Sequence, residues 1–244
     1  MNADAEAWCL PNGTAMPTHL AAIQRAAGLP DRTFDEQLAA APADAQALHR
    51  MLLRSLATGG DVLPAAEAAA AAGLTAERAR AAQAALVGAE LVVTDATGAV
   101  TGVFPLSAVP TRHVVRLRDG RRLHAMCAVD VLGVPAMLGQ PATVDSTDPV
   151  TGRPVRVEVP AGHEVKATDR HVQRLVADPP QAVVLLARTG TGPLASACCS
   201  VIDFYADRAT AHDALEQHGM TGIVLAVRDA HALGVALFGR LLAT

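Results

Sequence analysis

Aromatic side chains are almost missing from this 244-residue chain: one Trp, one Tyr and four Phe make up 2% of it, while hydrophobic residues reach 51%. Ala, Val and Leu must therefore fill the core. Each buries little area, so stability rests on many close contacts rather than a few large anchors. Lysine is reduced to Lys166, and the 20 basic residues face 24 acids for a formal net charge of -4. That balance argues against a polyanion-binding protein. No run of about 18 or more apolar residues is present to span a bilayer. The opening MNADAEAWCLPNG has neither the cationic stretch nor the continuous apolar run of a secretory signal. Cysteine is limited to Cys9, Cys127, Cys198 and Cys199. Two of these are adjacent, which is poor geometry for a disulfide framework, and a cytoplasmic protein with free, catalytic or metal-binding thiols is expected.

The periodicity divides the chain in three: an extension over 1–43, a winged-helix-like part over 44–110 and a strand-rich part over 111–244. In the extension, short helices are expected over 17–27 and 34–40, interrupted by Pro30 and Pro42. Helices then follow over 44–57, 64–72 and 75–86, with strands over 91–94 and 100–104 around the turn Ala96-Thr97-Gly98. Beyond Pro110 the pattern turns strand-rich. Hairpins are expected at Asp119-Gly120 and at Pro149-Val150-Thr151-Gly152, a helix over 128–138, and strand-type runs over 183–187 and 201–205. A strand over 223–227 lies between helices over 210–218 and 229–242. The fold class is α+β: the winged-helix-like helical part, then a mixed, largely antiparallel sheet with flanking helices.

A winged-helix order invites a DNA-binding reading, which charge opposes. Residues 1–110 hold 6 Arg against 11 acids, a net of -5. The helix over 75–86 would offer Arg78, Arg80 and Gln83, but Glu77 stands beside them. Phosphate contacts normally dominate DNA affinity, so a scaffold role is expected and no nucleic-acid partner.

Chemistry concentrates later. In Cys127-Ala128-Val129-Asp130, a helix start puts thiol and carboxylate on one face, and the positive end of the helix dipole favours a thiolate. In Cys198-Cys199, strand alternation would direct only one sulfur into a shared site. His124 lies three residues before Cys127. Each has a plain alternative: an inert buried thiol, a helix-capping Asp130, an ordinary strand histidine.

The run from Arg121 to Gly139, with its Cys127-Ala128-Val129-Asp130-Val131-Leu132 core and Pro135-Ala136, resembles the central motif of the organomercurial (alkylmercury) lyases. Ser196-Ala197-Cys198-Cys199-Ser200 with Asp203-Phe204-Tyr205 resembles that family's second cysteine motif, and Asp229-Ala230-His231 through Arg240-Leu241-Leu242 is similar to its C-terminus. The resemblance implies Cys127 and Cys198 as mercury-binding thiols and Asp130 as proton carrier, all three close to Hg as substrate and product. It implies protonolysis of a carbon–mercury bond with no resident cofactor. An external thiol, or an acceptor of the mercuric-reductase type, would take the Hg(II). Soft thiolates suit this soft ion. This chain departs from the family pattern at His124, where an aromatic is expected, at Met126 in place of Trp, and at Asp148, near the place of a further cysteine. Three readings compete with turnover: a non-catalytic thiol-based metal-binding protein, a relative repurposed for other, for example biosynthetic, chemistry, and a DNA-binding regulator.

Overall fold

A computed structural model describes residues 22, 23, 25, 32–161 and 175–242; the helix expected over 17–27 falls largely outside them, as does Cys9. The first described helix, α1 (Phe34–Ala40), starts at a capping box. Thr33 Oγ1 accepts from Glu36 N–H, and Glu36 Oε2 accepts from Thr33 N–H at 2.9 Å. This reciprocal cap fixes where the chain turns, and Phe34 and Leu38 go into the core. Three helices follow, α2 (Ala43–Gly59), α3 (Ala65–Ala71) and α4 (Ala76–Gly88), then the hairpin of β1 (Val92–Thr94) and β2 (Val100–Val103). The helix–helix–helix–hairpin order is thus as expected. Arg78 is held by both carboxylate oxygens of Asp44 at 2.7 and 2.8 Å, and Gln83 donates to Gly98 O at 2.8 Å. Two of the three side chains that a recognition helix would offer are therefore engaged within the molecule.

The sheet begun by this hairpin runs on through β3 (Leu106–Ser107), β4 (Val114–Leu117), β5 (Arg122–Ala125), β6 (Ala142–Thr147), β7 (Pro154–Val159) and β8 (Val176–Asp178). Its strand order is β1-β2-β3-β5-β4-β6-β7-β8, and every pairing is antiparallel. Leu106 pairs with Ala125 and Ser107 with His124, so pairing crosses the division placed after residue 110. One core cluster likewise runs from Phe34 to Leu241. Strand β7 alternates exposed and buried residues, as expected of a sheet with one wet face.

A second sheet has the order β10-β9-β11, from β9 (Val183–Arg188), β10 (Asp203–Tyr205) and β11 (Thr221–Ala226). The centre of β9 is buried on both faces. Val183, Leu185 and Ala187 pack with Ala211 and Ala214 of α6 (Arg208–Gln217), while Val184 and Leu186 face the main core. This accounts for an apolar run that does not alternate.

Helix α5 (Ala128–Leu138) is buried from Ala128 to Met137. It crosses α7 (Val227–Phe238) at a pair of glycines. A Cβ on Gly133 would lie 2.5 Å from Gly234 O, and one on Gly234 would lie 2.6 Å from Val129 O. A buried polar tie joins the two sheets: His113 Nε2 is 3.1 Å from Asp203 Oδ1, and its Nδ1 is 3.0 Å from Ser146 Oγ.

Candidate active site

Cys127 is the N-cap of α5, with extended backbone, and its Sγ accepts from Asp130 N–H at 3.5 Å. The i to i+3 spacing therefore does what was expected of it: thiol and carboxylate share the first turn. Ala128 N–H, unsatisfied within the helix, donates to Ile202 O at 3.0 Å. That bond ties the start of α5 to the segment carrying the adjacent cysteines.

This segment is not a strand. Residues Ala195–Cys199 form a π-helical turn, and β10 begins only at Asp203. The resemblance implied Cys198 as the thiol that joins Cys127 and Asp130, and alternation implied that only one of the pair would do so; without a strand here, neither picks the sulfur the structure brings in. Successive side chains on a helical turn are not opposed, and here it is Cys199 that reaches the site. A ligand atom from each of Cys127, Asp130 and Cys199 lies within 4.8 Å of the others, and all three residues are buried. Cys198 is buried as well, and the groups that bear on its thiol are Arg188 and Glu90.

The electrostatics are those of a dry site. Burial first, then the Cys199 thiol and the Asp130 charge, push the Cys127 thiol well above the ordinary thiol range. The positive end of α5 does not overcome this, contrary to the thiolate expected from sequence. For Cys199, the hydrogen bond with Cys127 pulls down, but burial and the neighbouring charges outweigh it and leave the thiol at about 11. Burial raises the Asp130 carboxyl to about 7, although hydrogen bonds from both thiols oppose the shift. Asp130 Oδ2 has no hydrogen-bond partner. At neutral pH the resting cluster thus holds two protonated thiols and a carboxyl group close to half-ionised.

A cavity of about 20 Å³ adjoins the cluster, walled by Phe34, Phe104, Leu194, Ile202, Leu237 and Phe238 among others. It holds little more than a water-sized group. The rings of Phe34, Phe104 and Phe238 pack together, with centroids 5.0 Å and 4.7 Å from Phe34. Three of the four phenylalanines of the chain are thus gathered here. Phe34 comes from the extension for which the sequence suggested no functional part. Other singled-out residues lie elsewhere. His124 Nδ1 is 3.0 Å from Thr111 N in an ordinary strand setting. Met126 fills the space left by Gly102. Asp148 clamps a loop, accepting from the N–H groups of Val150, Thr151 and Ala206.

The alkylmercury lyase family model matches residues 106–239, more than half of the chain, including Cys127, Asp130 and Cys199. The alkylmercury lyase of Staphylococcus epidermidis is 33% identical over 211 residues, 86% of this chain and 88% of that protein. The chain belongs to the alkylmercury lyase family. The alkylmercury lyase of Bacillus cereus is 32% identical over 188 residues, covering 77% of this chain and 78% of its own. A crystal structure of the mercury-bound form of MerB2 superposes with a TM-score of 0.69, covering 93% of this chain and all of that one at 20% identity. At that identity the likeness concerns the fold, which agrees with the α+β class expected of an alkylmercury lyase. No helix among the described residues is long and apolar enough to cross a membrane.

Proposed function

We propose that this chain is an organomercurial lyase that cleaves a carbon–mercury bond by protonolysis, with Cys127 and Cys199 as mercury-binding thiols and Asp130 as proton carrier. One observation carries the assignment: in a member of this family, two thiols and a carboxyl group raised to about 7 converge within 4.8 Å in a buried site. The first thiol takes the mercury of R–Hg⁺ from the external thiolate that carries it in, and its proton leaves on that displaced thiol. The second thiol adds to mercury, and its proton passes to Asp130. Two sulfur donors raise electron density on the metal-bound carbon, and Asp130 then delivers the proton to that carbon as general acid. The carbon–mercury bond breaks, R–H leaves, and Hg(II) remains as the dithiolate. High thiol pKa values do not oppose capture, since a soft metal displaces the proton that burial favours.

The cavity of about 20 Å³ is too small for an organic group of any size, so the surrounding side chains give way on substrate entry. Hg(II) then leaves to an external thiol or to a dithiol acceptor of the mercuric-reductase type, and no resident cofactor takes part. A cytoplasmic setting, where thiols stay reduced, suits this chemistry. The decisive experiment incubates the protein with phenylmercury and excess thiol and measures benzene by gas chromatography. Stoichiometric mercury binding without benzene would instead identify a metal-binding protein.

A further inference from the structure

Helix α4 ends in a Schellman-type turn: Leu91 N–H returns to Leu86 O at 2.9 Å, and Glu90 N–H to Val87 O at 3.0 Å. Glu90 takes a φ of 55° there, alone among the described non-glycine residues in the left-handed region. Glycine fills such a place without steric penalty, whereas a side chain strains it. The Glu90 side chain reaches to the far end of the sequence: Oε1 accepts from Leu194 N–H at 2.8 Å. Leu194 is the residue from which the π-turn starts, and it also walls the cavity beside Cys127, Asp130 and Cys199. The other side of the same loop is held by Arg188, which donates to Gly190 O at 2.8 Å and Gly192 O at 3.0 Å.

We infer that Glu90 is a positioning residue: a carboxylate at the end of α4 that anchors the π-turn and sets Cys199 against Cys127 and Asp130. The N-terminal helices then help to form the site rather than only support it. The inference rests on the proposed role of the two thiols as mercury ligands. The distance from Glu90 to Leu194 has to be kept for both sulfurs to close on one ion, and small misplacements of reacting groups carry large rate penalties.

The test compares three variants of the full chain. Glu90→Gln keeps an acceptor oxygen at the same reach. Glu90→Asn tolerates the left-handed backbone but is too short, and Glu90→Gly relieves the strain while removing the side chain. Three quantities are measured: melting temperature, Hg(II) affinity in competition with free cysteine, and single-turnover hydrocarbon release. Glu90→Gln should stay within about two-fold of the parent. Glu90→Gly should melt no lower than the parent, yet Glu90→Gly and Glu90→Asn should each lose roughly ten-fold in affinity and in release. Parental affinity and release in Glu90→Gly, or equal damage from Gln and Asn, would overturn the assignment. A parent that binds Hg(II) but releases no hydrocarbon would refute the carbon–mercury reading, and the affinity comparison would still decide the role of Glu90.

Discussion

Asp130 has an oxygen, Oδ2, that is buried without a donor, and the carboxyl group is hydrogen-bonded by both thiols as well as by the Cys127 backbone. A capping role alone would not leave it so. The proton-carrier role predicts that Asp130→Asn still captures Hg(II) but releases hydrocarbon roughly 10²-fold more slowly or worse, because an amide cannot shuttle a proton near neutral pH. Single-turnover release beside mercury stoichiometry checks this; unaltered release would leave Asp130 structural. Release by the parent should also decline as pH falls through about 7, where Asp130 is already protonated and cannot take up the proton of the second thiol. At the sulfurs, Cys127→Ser and Cys199→Ser should each abolish turnover and tight mercury binding, since a hydroxyl is a hard, poorly ionised ligand. Cys198→Ser should retain most of both. Assayed together, the reverse order for Cys198 and Cys199 would mean that the π-turn presents the other sulfur.

Among the elements, α5 depends on its contact with α7. With Gly133 and Gly234 backbone to backbone, an added methyl has nowhere to go: the nearest atoms are a carbonyl oxygen at 2.5 Å and its carbon at 2.9 Å. Gly133→Ala should force the helices apart, lowering stability by about 1–3 kcal/mol or more, as overpacking does. Because α5 carries Cys127 and Asp130, turnover should fall with it. Denaturant melts and release assays on Gly133→Ala would show both effects. The span of α5 was legible because its residues are apolar on every side and end at Gly139 in a left-handed cap, with φ of 64°. Pro135 lies in its last turn, where it removes a single helical hydrogen bond. The cysteine turn was not legible. Residues 201–205 look like strand, but only Asp203–Tyr205 pair with β9, and the residues before them wind into the five-residue π-turn. No local periodicity distinguishes the two: alternation said only that one sulfur would face the site, the resemblance supplied Cys198, and the π-turn brings Cys199 to Cys127 and Asp130. Glu90 was hidden for a similar reason, since its partner is distant in sequence.

For the molecule as a whole, three buried groups set how stability follows pH, and they do not act in the same direction. His49 in α2 and His231 in α7 are both lowered from 6.5 to about 4 by burial; neither His49 nitrogen has a partner, nor does His231 Nε2. Their folded pKa values are depressed, so between about 4 and 6.5 the unfolded chain binds two protons that the folded chain refuses. Asp130 is raised from 3.8 to about 7, so over the same interval the folded chain holds one proton that the unfolded chain has lost. The unfolded state is left with a net excess of one proton, and stability should rise with pH, on the order of 1 kcal/mol per unit. Above 6.5 only Asp130 still acts, which places the maximum near pH 6.5–7. Carboxylates held low by their hydrogen bonds, such as Asp148 and Asp207, lose their contribution only below the ordinary 3.8. The slope can therefore be reset one proton at a time. Replacing both histidines, His49→Leu with His231→Leu, should reverse its sign, so that stability falls from pH 4.5 to 6.5 through Asp130 alone. Asp130→Asn should instead double the rise. Denaturation curves at half-unit pH steps on the three proteins measure these slopes directly. A double histidine variant that keeps the parental slope would mean that acid lability originates elsewhere than in these two rings.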